Sequence, residues 1–197
     1  MEIPNPAQKK QECAKWYVMR VTYGRELAAK EKLEVMAGRV EEVFLPMRYE
    51  YVVRGGKKTR RLCPSVHNLV FARTTRQEMD DIKKIEIPYL RYFMCHDGAQ
   101  SFPMTVRDED MQNFMRVARR VEEDIRYVSA EDFDIKAGER VLITGGAFAN
   151  AEGVLVKVKG CRSKRVVVSL DNFLHLATAT VPINLIERIK EKNRIEI

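Results

Sequence analysis

The sequence lacks the features that mark membrane and secreted proteins. No run of about 18 apolar residues, the length that spans a bilayer as a helix, occurs among its 197 residues. The stretch up to Lys15 is polar and contains two prolines, which does not fit the pattern of a signal peptide. We therefore expect a cytoplasmic protein with a disordered leader and no membrane contact. We also expect it to act as a monomer.

Residue patterns that carry catalysis or hold metals are also missing. The four cysteines form no C-x-x-C pair and the three histidines are scattered along the chain. Unpaired thiols in a reducing compartment are therefore expected, in preference to zinc or redox chemistry. The chain has no phosphate-cradling glycine loop, nucleophile elbow or carboxylate pair at motif spacing. We predict no metal, no cofactor and no enzyme activity.

The chain does contain ample apolar residues and an excess of positive charge. Its 45% of hydrophobic residues suffices for the buried core of one large domain or two small ones. The net charge of +7 and the pI near 9.3 favour a polyanionic partner. The 28 acidic residues keep this excess far below that of a histone-like protein.

The N-terminal half shows alternating strand and helix signals. Trp16–Val21 has the pattern of a short buried strand, and helical spacing of apolar residues then continues until Gly38. An alternation from Val43 to Val53 predicts one long strand, although Pro46 implies that this strand lies at an edge or carries a bulge. A glycine pair then predicts a tight turn, and the return arm leads to a strand at Asn68–Ala72.

The next segment predicts two more helices and one more strand. Thr75 has the spacing of a capping box that opens a helix, and Pro88 closes it. Leu90–Cys95 predicts a strand and Val106–Arg120 a third helix. The inward positions of that helix are Met111, Phe114, Met115 and Ala118. The order predicts an α+β sandwich with antiparallel strands and helices covering a face.

The C-terminal part predicts a small barrel of five strands. The charged stretch from Arg119 to Lys136 has no clear period and is read as the connection between two domains. Strand patterns follow at residues 139–144, 153–158, 165–170, 176–181 and 185–189. Their many β-branched residues disfavour helix, so we expect this domain to be a barrel at rest rather than a helical hairpin.

One stretch of the barrel, from Ala137 to Lys159, narrows function as well as fold. Two alternating apolar residues end in a turn, a single aromatic follows, and a glycine marks close approach to a neighbouring backbone. This spacing resembles the KOW motif of some ribosomal proteins and of NusG-family transcription factors. Members of the family often have a glycine near the position of Asn150. Asparagine stands there in this chain, and it also tolerates left-handed backbone conformations. The residues of the motif are Gly145, Gly146, Phe148 and Gly153.

The order of parts, from Trp16 to Ile189, resembles the NusG family of transcription elongation factors. It opens on W-Y-V, continues through a glycine at Gly24, a basic hairpin and an L-V-F strand, and ends in the KOW stretch. The segments around Gly24 and Asn150 are most similar to specialised antiterminators, which include the UpxY type of capsular polysaccharide operons and the RfaH type. Of these two, the UpxY type is the expected one. The resemblance implies an NGN-like domain at 14–121, a linker at 122–134 and an SH3-like KOW barrel at 135–193.

The resemblance also implies a mechanism in which the N-terminal domain holds the clamp helices of RNA polymerase and spans the DNA cleft. Pausing and termination then decrease. By position, Leu69 and Phe71 of the L-V-F strand are the first candidates for the polymerase contact, and core packing is the alternative for both. The further candidates are Tyr23, Phe44, Tyr92 and Phe93.

Two clusters of positive charge are candidates for contact with a polyanion. The first surrounds the predicted hairpin turn and contains no acidic residue; its members are Arg54, Lys57, Lys58, Arg60 and Arg61. Phosphate contacts would relieve the repulsion there, and the resemblance implies non-template DNA or nascent RNA as the partner. The second lies in the barrel, at Lys157, Lys159, Arg162, Lys164 and Arg165, and a solvated loop is the favoured interpretation.

Alternatives remain open for the partner of the KOW domain, for the function of the chain and for the C-terminal part. The resemblance implies a ribosomal protein or a termination factor as partner of the KOW domain. A KOW-type RNA-binding or ribosome-associated protein without polymerase binding is the main rival function. An ordinary SH3-like barrel without a role in transcription is the rival reading of the C-terminal part.

Overall fold

The computed structural model of the chain describes residues 13–170 and 173–189, and at Arg54 the backbone alone. In chain order the helices are α1 (Glu26–Glu34), α2 (Arg76–Ile85) and α3 (Asp108–Ala118). The strands are β1 (Lys15–Val21), β2 (Val40–Phe44), β3 (Met47–Arg54), β4 (Lys57–Pro64), β5 (Leu69–Thr74), β6 (Leu90–Tyr92), β7 (Met94–Asp97), β8 (Gln100–Pro103), β9 (Thr105–Val106), β10 (Arg126–Val128), β11 (Glu139–Ile143), β12 (Glu152–Lys157), β13 (Lys164–Leu170), β14 (Leu174–Ala177) and β15 (Ile186–Arg188).

The described residues separate into two compact units, which are interleaved in sequence. The first holds the residues up to Phe44 together with Asn68–Thr105, and the second holds Leu45–His67 and the residues from Val106 onward. Hairpin β3–β4 and helix α3 therefore group with the β-rich C-terminal part. The domain limits expected from the sequence, 14–121, 122–134 and 135–193, remain a prediction, and residues 190–193 lie outside the described part.

The first unit is built on an antiparallel sheet in the order β2-β5-β1-β6, with β9 also paired to β1. Residues Trp16 to Met19 are all buried, so both faces of β1 are covered. Helix α1 packs against β2 and β5. The predicted strand at 90–95 is divided, because β7 leaves the sheet and forms a separate hairpin with β8.

Helix α2 begins where the sequence predicts, because Thr75 caps it. The Thr75 Oγ1 accepts a hydrogen bond from the Glu78 backbone nitrogen at 3.2 Å. The Glu78 carboxylate is instead bonded to Arg39, at 2.5 Å, and Arg39 also bonds Glu86 at 2.5 Å. One guanidinium thus ties both ends of α2 to the residue that precedes β2.

The single long strand predicted from Val43 to Val53 is wrong. The chain forms two strands, β2 and β3, separated at Leu45 and Pro46. Phe44, Leu45 and Pro46 are buried in succession, which breaks the alternation, and proline cannot donate to a strand ladder. The Pro46 carbonyl accepts a hydrogen bond from the Ser65 nitrogen at 2.8 Å. The bend therefore closes the base of hairpin β3–β4.

The C-terminal sheet of the second unit contains six paired strands rather than the five expected. Their order is β10-β14-β13-β12-β11-β15, and consecutive neighbours are antiparallel. The additional strand, β10, lies inside the stretch read as the interdomain connection. It pairs with β14 from Arg126↔Ala177 to Val128↔His175. The β-rich state of this region agrees with the expectation of strands rather than a helical hairpin.

The core of this sheet explains its two critical glycines. Val156, Val158 and Val167 form a buried cluster with Cys161 and Ala177. A Cβ at Gly153 would lie 2.6 Å from the Val167 carbonyl oxygen, and one at Gly138 would lie 2.2 Å from the Val156 side chain. Neither position has room for a side chain.

Candidate functional surfaces

The two leading candidates for a partner contact are buried. Leu69 and Phe71 are 3% and 0% exposed, and they lie on β5, between β2 and β1. Val70 and Ala72, which point to the opposite face, are buried too, so neither face of β5 is accessible. Direct contact through Leu69 or Phe71 would therefore require the residues that cover them to move.

Two of the further candidates are also buried and make internal contacts. Phe44 packs on Phe71, with ring centroids 6.2 Å apart. The Tyr92 hydroxyl donates to Asp80 at 3.0 Å, and the Arg76 guanidinium carbon lies 4.4 Å from the Tyr92 ring centroid. Burial and the bond to Asp80 raise the pKa of Tyr92 well above its usual range. These contacts give Phe44 and Tyr92 structural roles.

The remaining apolar candidates have accessible surface. Tyr23 is 70% exposed in the turn between β1 and α1. Phe93 is partly buried next to β1, where its nitrogen donates to the Val18 carbonyl at 2.8 Å, and the Arg20 guanidinium carbon lies 6.0 Å from its ring centroid. Phe93 thus lies beside the middle of β1, whereas Tyr23 lies beyond its C-terminal end.

Hairpin β3–β4 carries the basic cluster around a two-residue turn. Gly55 and Gly56 both have positive φ, 55° and 76°, which suits the tight turn predicted for them. Arg54 pairs with Lys57 in the backbone register, so two basic residues face each other at the turn. Lys57, Lys58, Arg60 and Arg61 are exposed; the Arg54 side chain lies outside the description.

One face of this hairpin combines aromatic rings with cations. Tyr49 and Tyr51 share that face by strand alternation, and Tyr51 is 64% exposed. The Arg60 guanidinium carbon lies 3.5 Å from the Tyr49 ring centroid, and the Lys58 ammonium lies 4.4 Å from that of Tyr51. The alternate positions of Tyr49 and Tyr51 in the sequence indicate this aromatic surface. Counting only the basic residues of the hairpin does not reveal it.

The hairpin is less isolated from acidic residues than its sequence implies. Arg60 forms a salt bridge with Glu122, which lies far along the chain, and this contact raises the pKa of the Arg60 guanidinium. Glu50 pairs with Arg61 in the strand register and forms a salt bridge with Arg48. Lys57, Lys58 and Arg61 make no salt bridge in the described part of the chain.

The KOW stretch adopts the local conformations that its residues favour. Gly146 has φ of +76° and opens a short 3-10 turn that places Phe148 in the core, 5% exposed. Gly145 is extended and packs against Leu185. Asn150 has φ of +64°, which is a left-handed conformation. The glycine that family members often have near this position would adopt it without strain.

Helix α3 docks on this same stretch through polar bonds that the sequence did not reveal. The Asn113 side-chain amide donates to the Glu152 carbonyl and accepts from the Glu152 nitrogen, both at 2.8 Å. Arg116 donates to the Asn150 carbonyl at 2.7 Å. Phe114 packs edge-on against Tyr127, with ring centroids 6.5 Å apart. The amide of Asn113 therefore replaces the backbone groups of a neighbouring strand.

The described residues contain neither a group of side chains arranged to hold a metal ion nor a membrane-spanning helix. Within residues 13–170 and 173–189, no group of three or more His, Cys, Asp and Glu side chains is arranged to hold a metal ion. None of the described helices is long and apolar enough to cross a bilayer.

The fold class is mixed α+β, with a β-rich, KOW-like C-terminal region. The chain belongs to the NusG family: the family described as "Transcription termination factor nusG" matches residues 14–115, which is more than half of its length. Members of this family are non-enzymatic transcription factors that interact with RNA polymerase. Membership supports a role in transcription elongation or antitermination.

Comparison with individual proteins adds little to this assignment. A solved structure of Thermotoga maritima NusG, from a study of its domain interaction, is 20% identical to this chain with a TM-score of 0.47. The match covers 90% of this chain and 98% of the Thermotoga chain. No curated protein sequence matches.

Proposed function

We propose that this protein is a transcription elongation and antitermination factor that binds the clamp helices of RNA polymerase through its N-terminal domain, residues 14–121. In this proposal it bridges the DNA cleft and suppresses pausing and termination at specific operons, such as surface polysaccharide clusters. The observation that carries the proposal is the family match over residues 14–115. The operon class rests on the sequence resemblance to UpxY-type antiterminators.

The proposed polymerase contact centres on the exposed aromatic surface of the first unit. Tyr23 offers the largest accessible area among the six apolar candidates, and Phe93 contributes a partly exposed ring. Exposed aromatic side chains are common anchors of protein interfaces. Leu69, Phe71, Phe44 and Tyr92 would join this contact only in a state that uncovers them.

The proposed nucleic-acid contact is hairpin β3–β4, with non-template DNA or nascent RNA as the ligand. Lys57, Lys58 and Arg61 can each approach a phosphate. The exposed ring of Tyr51 can stack with an unpaired base, a contact generally worth about 1–3 kcal/mol. Double-stranded nucleic acid offers no such base face, so the geometry favours a single strand.

The proposed role of the KOW region, residues 135–193, is to bind a ribosomal protein or a termination factor. The protein is proposed to act as a cytoplasmic monomer, with residues 122–134 joining the two domains. In the structure, residues 126–128 of this joining segment belong to the sheet as β10. The part of residues 122–134 that can act as a flexible linker would therefore be shorter than the whole segment.

A single-round transcription assay tests the proposal as a whole. Halted elongation complexes are released through a pause site and an intrinsic terminator, with and without the protein. We expect shorter pauses and more read-through product when the protein is present. Unchanged pausing and termination on templates with and without an operon leader would overturn the proposed function.

Separate binding experiments distinguish the proposal from its rival. We expect core RNA polymerase to retain the full chain, and Tyr23→Ala to weaken this retention by roughly tenfold, as for an interface anchor. Val35→Ala is the matched control, because Val35 is exposed on the same unit and is not a candidate. Retention by ribosomal subunits and not by polymerase would favour the rival KOW-type RNA-binding function.

A further inference from the structure

The turn between β12 and β13 carries four exposed cations, which we call the basic tip: Lys157, Lys159, Arg162 and Lys164. Gly160 reverses the chain with φ of +74°, and the Cys161 nitrogen donates to the Val158 carbonyl at 3.0 Å. Cys161 is buried in the cluster beneath the turn. The backbone of the tip is therefore held in place, and its charges project from a fixed base.

Two of these cations face each other across the ladder. Lys157 pairs with Lys164 in the strand register, where opposite residues have Cβ atoms only about 4.5–5.5 Å apart. Like charges at such positions destabilise a sheet. A sequence selected only for a stable hairpin would place an acid opposite a lysine here. The arrangement therefore indicates that the charge serves a ligand.

The described part of the chain places one carboxylate near the tip, that of Asp132, whose pKa is lowered by its hydrogen bonds to Ser129 and, to a smaller extent, by the charge of Lys159. None of the four cations forms a salt bridge with a described acid; the Lys157 ammonium donates to the Arg162 carbonyl instead, at 2.5 Å. Asp132 is the nearest acid by contact, since its carbonyl accepts from the Lys159 nitrogen at 2.8 Å. Its carboxylate is already bonded to Ser129, at 2.9 and 3.0 Å.

The adjacent Arg165 shows how a cation with a structural role looks in the same strand. Its side chain is buried, and its guanidinium bonds the Asp124 carboxylate, the Asp124 carbonyl and the Thr178 carbonyl, at 2.8, 2.9 and 2.8 Å. Arg165 is grouped with the four cations of the tip by sequence, but its side chain has a structural role instead. None of the four residues of the tip bonds a described carboxylate, and among them only Lys157 bonds a backbone carbonyl, within the tip itself.

The chemistry of the tip fits a phosphate backbone better than a protein. Between its cations lie only a glycine, a serine and the buried Val158 and Cys161, so it exposes no apolar or aromatic anchor of the kind that protein interfaces use. A cluster of flexible cations instead gains its binding energy by releasing counterions from phosphates. We propose that the basic tip is a second nucleic-acid-binding site, which contacts phosphates without reading bases. This site stands independently of the polymerase contact.

The test measures binding of the full chain to a labelled single-stranded oligonucleotide of about 20 nucleotides, longer than the roughly 4–16 that one small barrel covers. Hairpin β3–β4 is first silenced with Lys57→Gln, Lys58→Gln and Arg61→Gln. In that background the tip variant carries Lys157→Gln, Lys159→Gln, Arg162→Gln and Lys164→Gln. The control removes the same charge from the same unit with Arg126→Gln, Lys136→Gln, Arg140→Gln and Arg188→Gln.

We expect the tip variant to lose affinity by at least roughly tenfold at low salt and the control to change much less. The slope of log affinity against log salt should fall by about 3, since four single-strand contacts contribute about 0.7 each. Equal losses in the tip variant and the control would overturn the proposal. So would equally tight binding of polyglutamate of matched charge, because the ligand would then be any polyanion, including an acidic protein.

One further variant separates binding from folding. Lys164→Glu places an acid opposite Lys157, so we expect the melting temperature to rise while oligonucleotide affinity falls. A structural role for Lys164 would lower the melting temperature instead. If the fourfold variant does not fold, Lys159→Gln and Arg162→Gln decide, because these two residues lie in the turn and have no strand partner. Unchanged affinity in both would overturn the proposal.

Discussion

Tyr127 lies in β10 with a buried hydroxyl that makes no hydrogen bond of ordinary length to a described residue, although the Ser65 side chain lies near enough to offset part of its pKa shift. Burial raises its pKa to about 12. A buried hydroxyl without a partner is destabilising, because it has lost its bonds to water. We expect Tyr127→Phe to raise the free energy of unfolding by about 1 kcal/mol at pH 7, measured by urea denaturation.

The same substitution has a pH signature. Because burial raises the pKa of Tyr127 in the folded state only, its ionisation does not affect stability below about pH 10, the unfolded value, and it lowers stability as pH rises from there to about 12. We therefore expect the advantage of Tyr127→Phe to grow across that interval. A constant difference between the two proteins would show that Tyr127 ionises equally in both states.

The buried Arg165 side chain holds the segment before β10 in place through its bonds to Asp124. Removing its side chain leaves the Asp124 and Thr178 carbonyls without a donor. We expect Arg165→Ala to cost about 2 kcal/mol of unfolding free energy, because a buried guanidinium that donates to two backbone carbonyls is lost. Lys164→Ala, an exposed change at the next position, should not destabilise. Equal effects of both changes in thermal melts would contradict this role.

The partner of Arg165 makes the same contact sensitive to acid. The hydrogen bond from Arg165 holds the pKa of Asp124 below its usual range. Such a carboxylate stabilises the fold above the unfolded pKa of about 3.9, and this contribution is lost as pH falls through the lower folded value. We expect Asp124→Asn to reduce the loss of stability below pH 4, as measured by melting temperature.

At the scale of single elements, the sequence predicts those whose signal is local. Helix α2 begins at its predicted cap Thr75, and all four inward positions predicted for α3 are buried. Asn150 adopts the left-handed conformation that its position in the motif suggests. Each of these features depends on neighbours a few residues away, so spacing alone reveals it.

Elements whose existence depends on distant partners were not predictable in this way. Strand β10 has no strong strand pattern and forms because β14 offers it an edge. Hairpin β3–β4 separates from β2 because Pro46 bends the chain. Leu69 and Phe71 fit a contact strand by position, but alternation reveals which residues share a face and not what covers that face.

Gly153 allows β12 and β13 to approach each other closely. A Cβ there would overlap the Val167 carbonyl, so β12 and β13 would have to separate. We expect Gly153→Ala to destabilise by about 2–3 kcal/mol, as other overpacked sites do. Gly160→Ala is the control: the added Cβ meets no atom within 4 Å, and only the left-handed backbone costs about 1–2 kcal/mol. Equal losses in denaturation would contradict the close approach.

At the scale of the molecule, α3 belongs by packing to the β-rich part of the chain. It contacts β13 and β14, and Asn113 satisfies both backbone groups of Glu152. A fragment of residues 106–197 should therefore melt at a higher temperature than one of residues 122–197. Burial of Phe114 alone is worth about 1.5–3 kcal/mol. Equal melting temperatures by circular dichroism would show that α3 adds no stability to this sheet.

The path of the six-stranded sheet has a consequence for how copies of the protein meet. In the described part, β10 and β15 each pair on one side only, which leaves two borders where a foreign strand could attach. Both are only three residues long, and they carry Arg126, Glu187 and Arg188. Short, charged borders resist strand addition. Strand addition at either border of this sheet is therefore disfavoured.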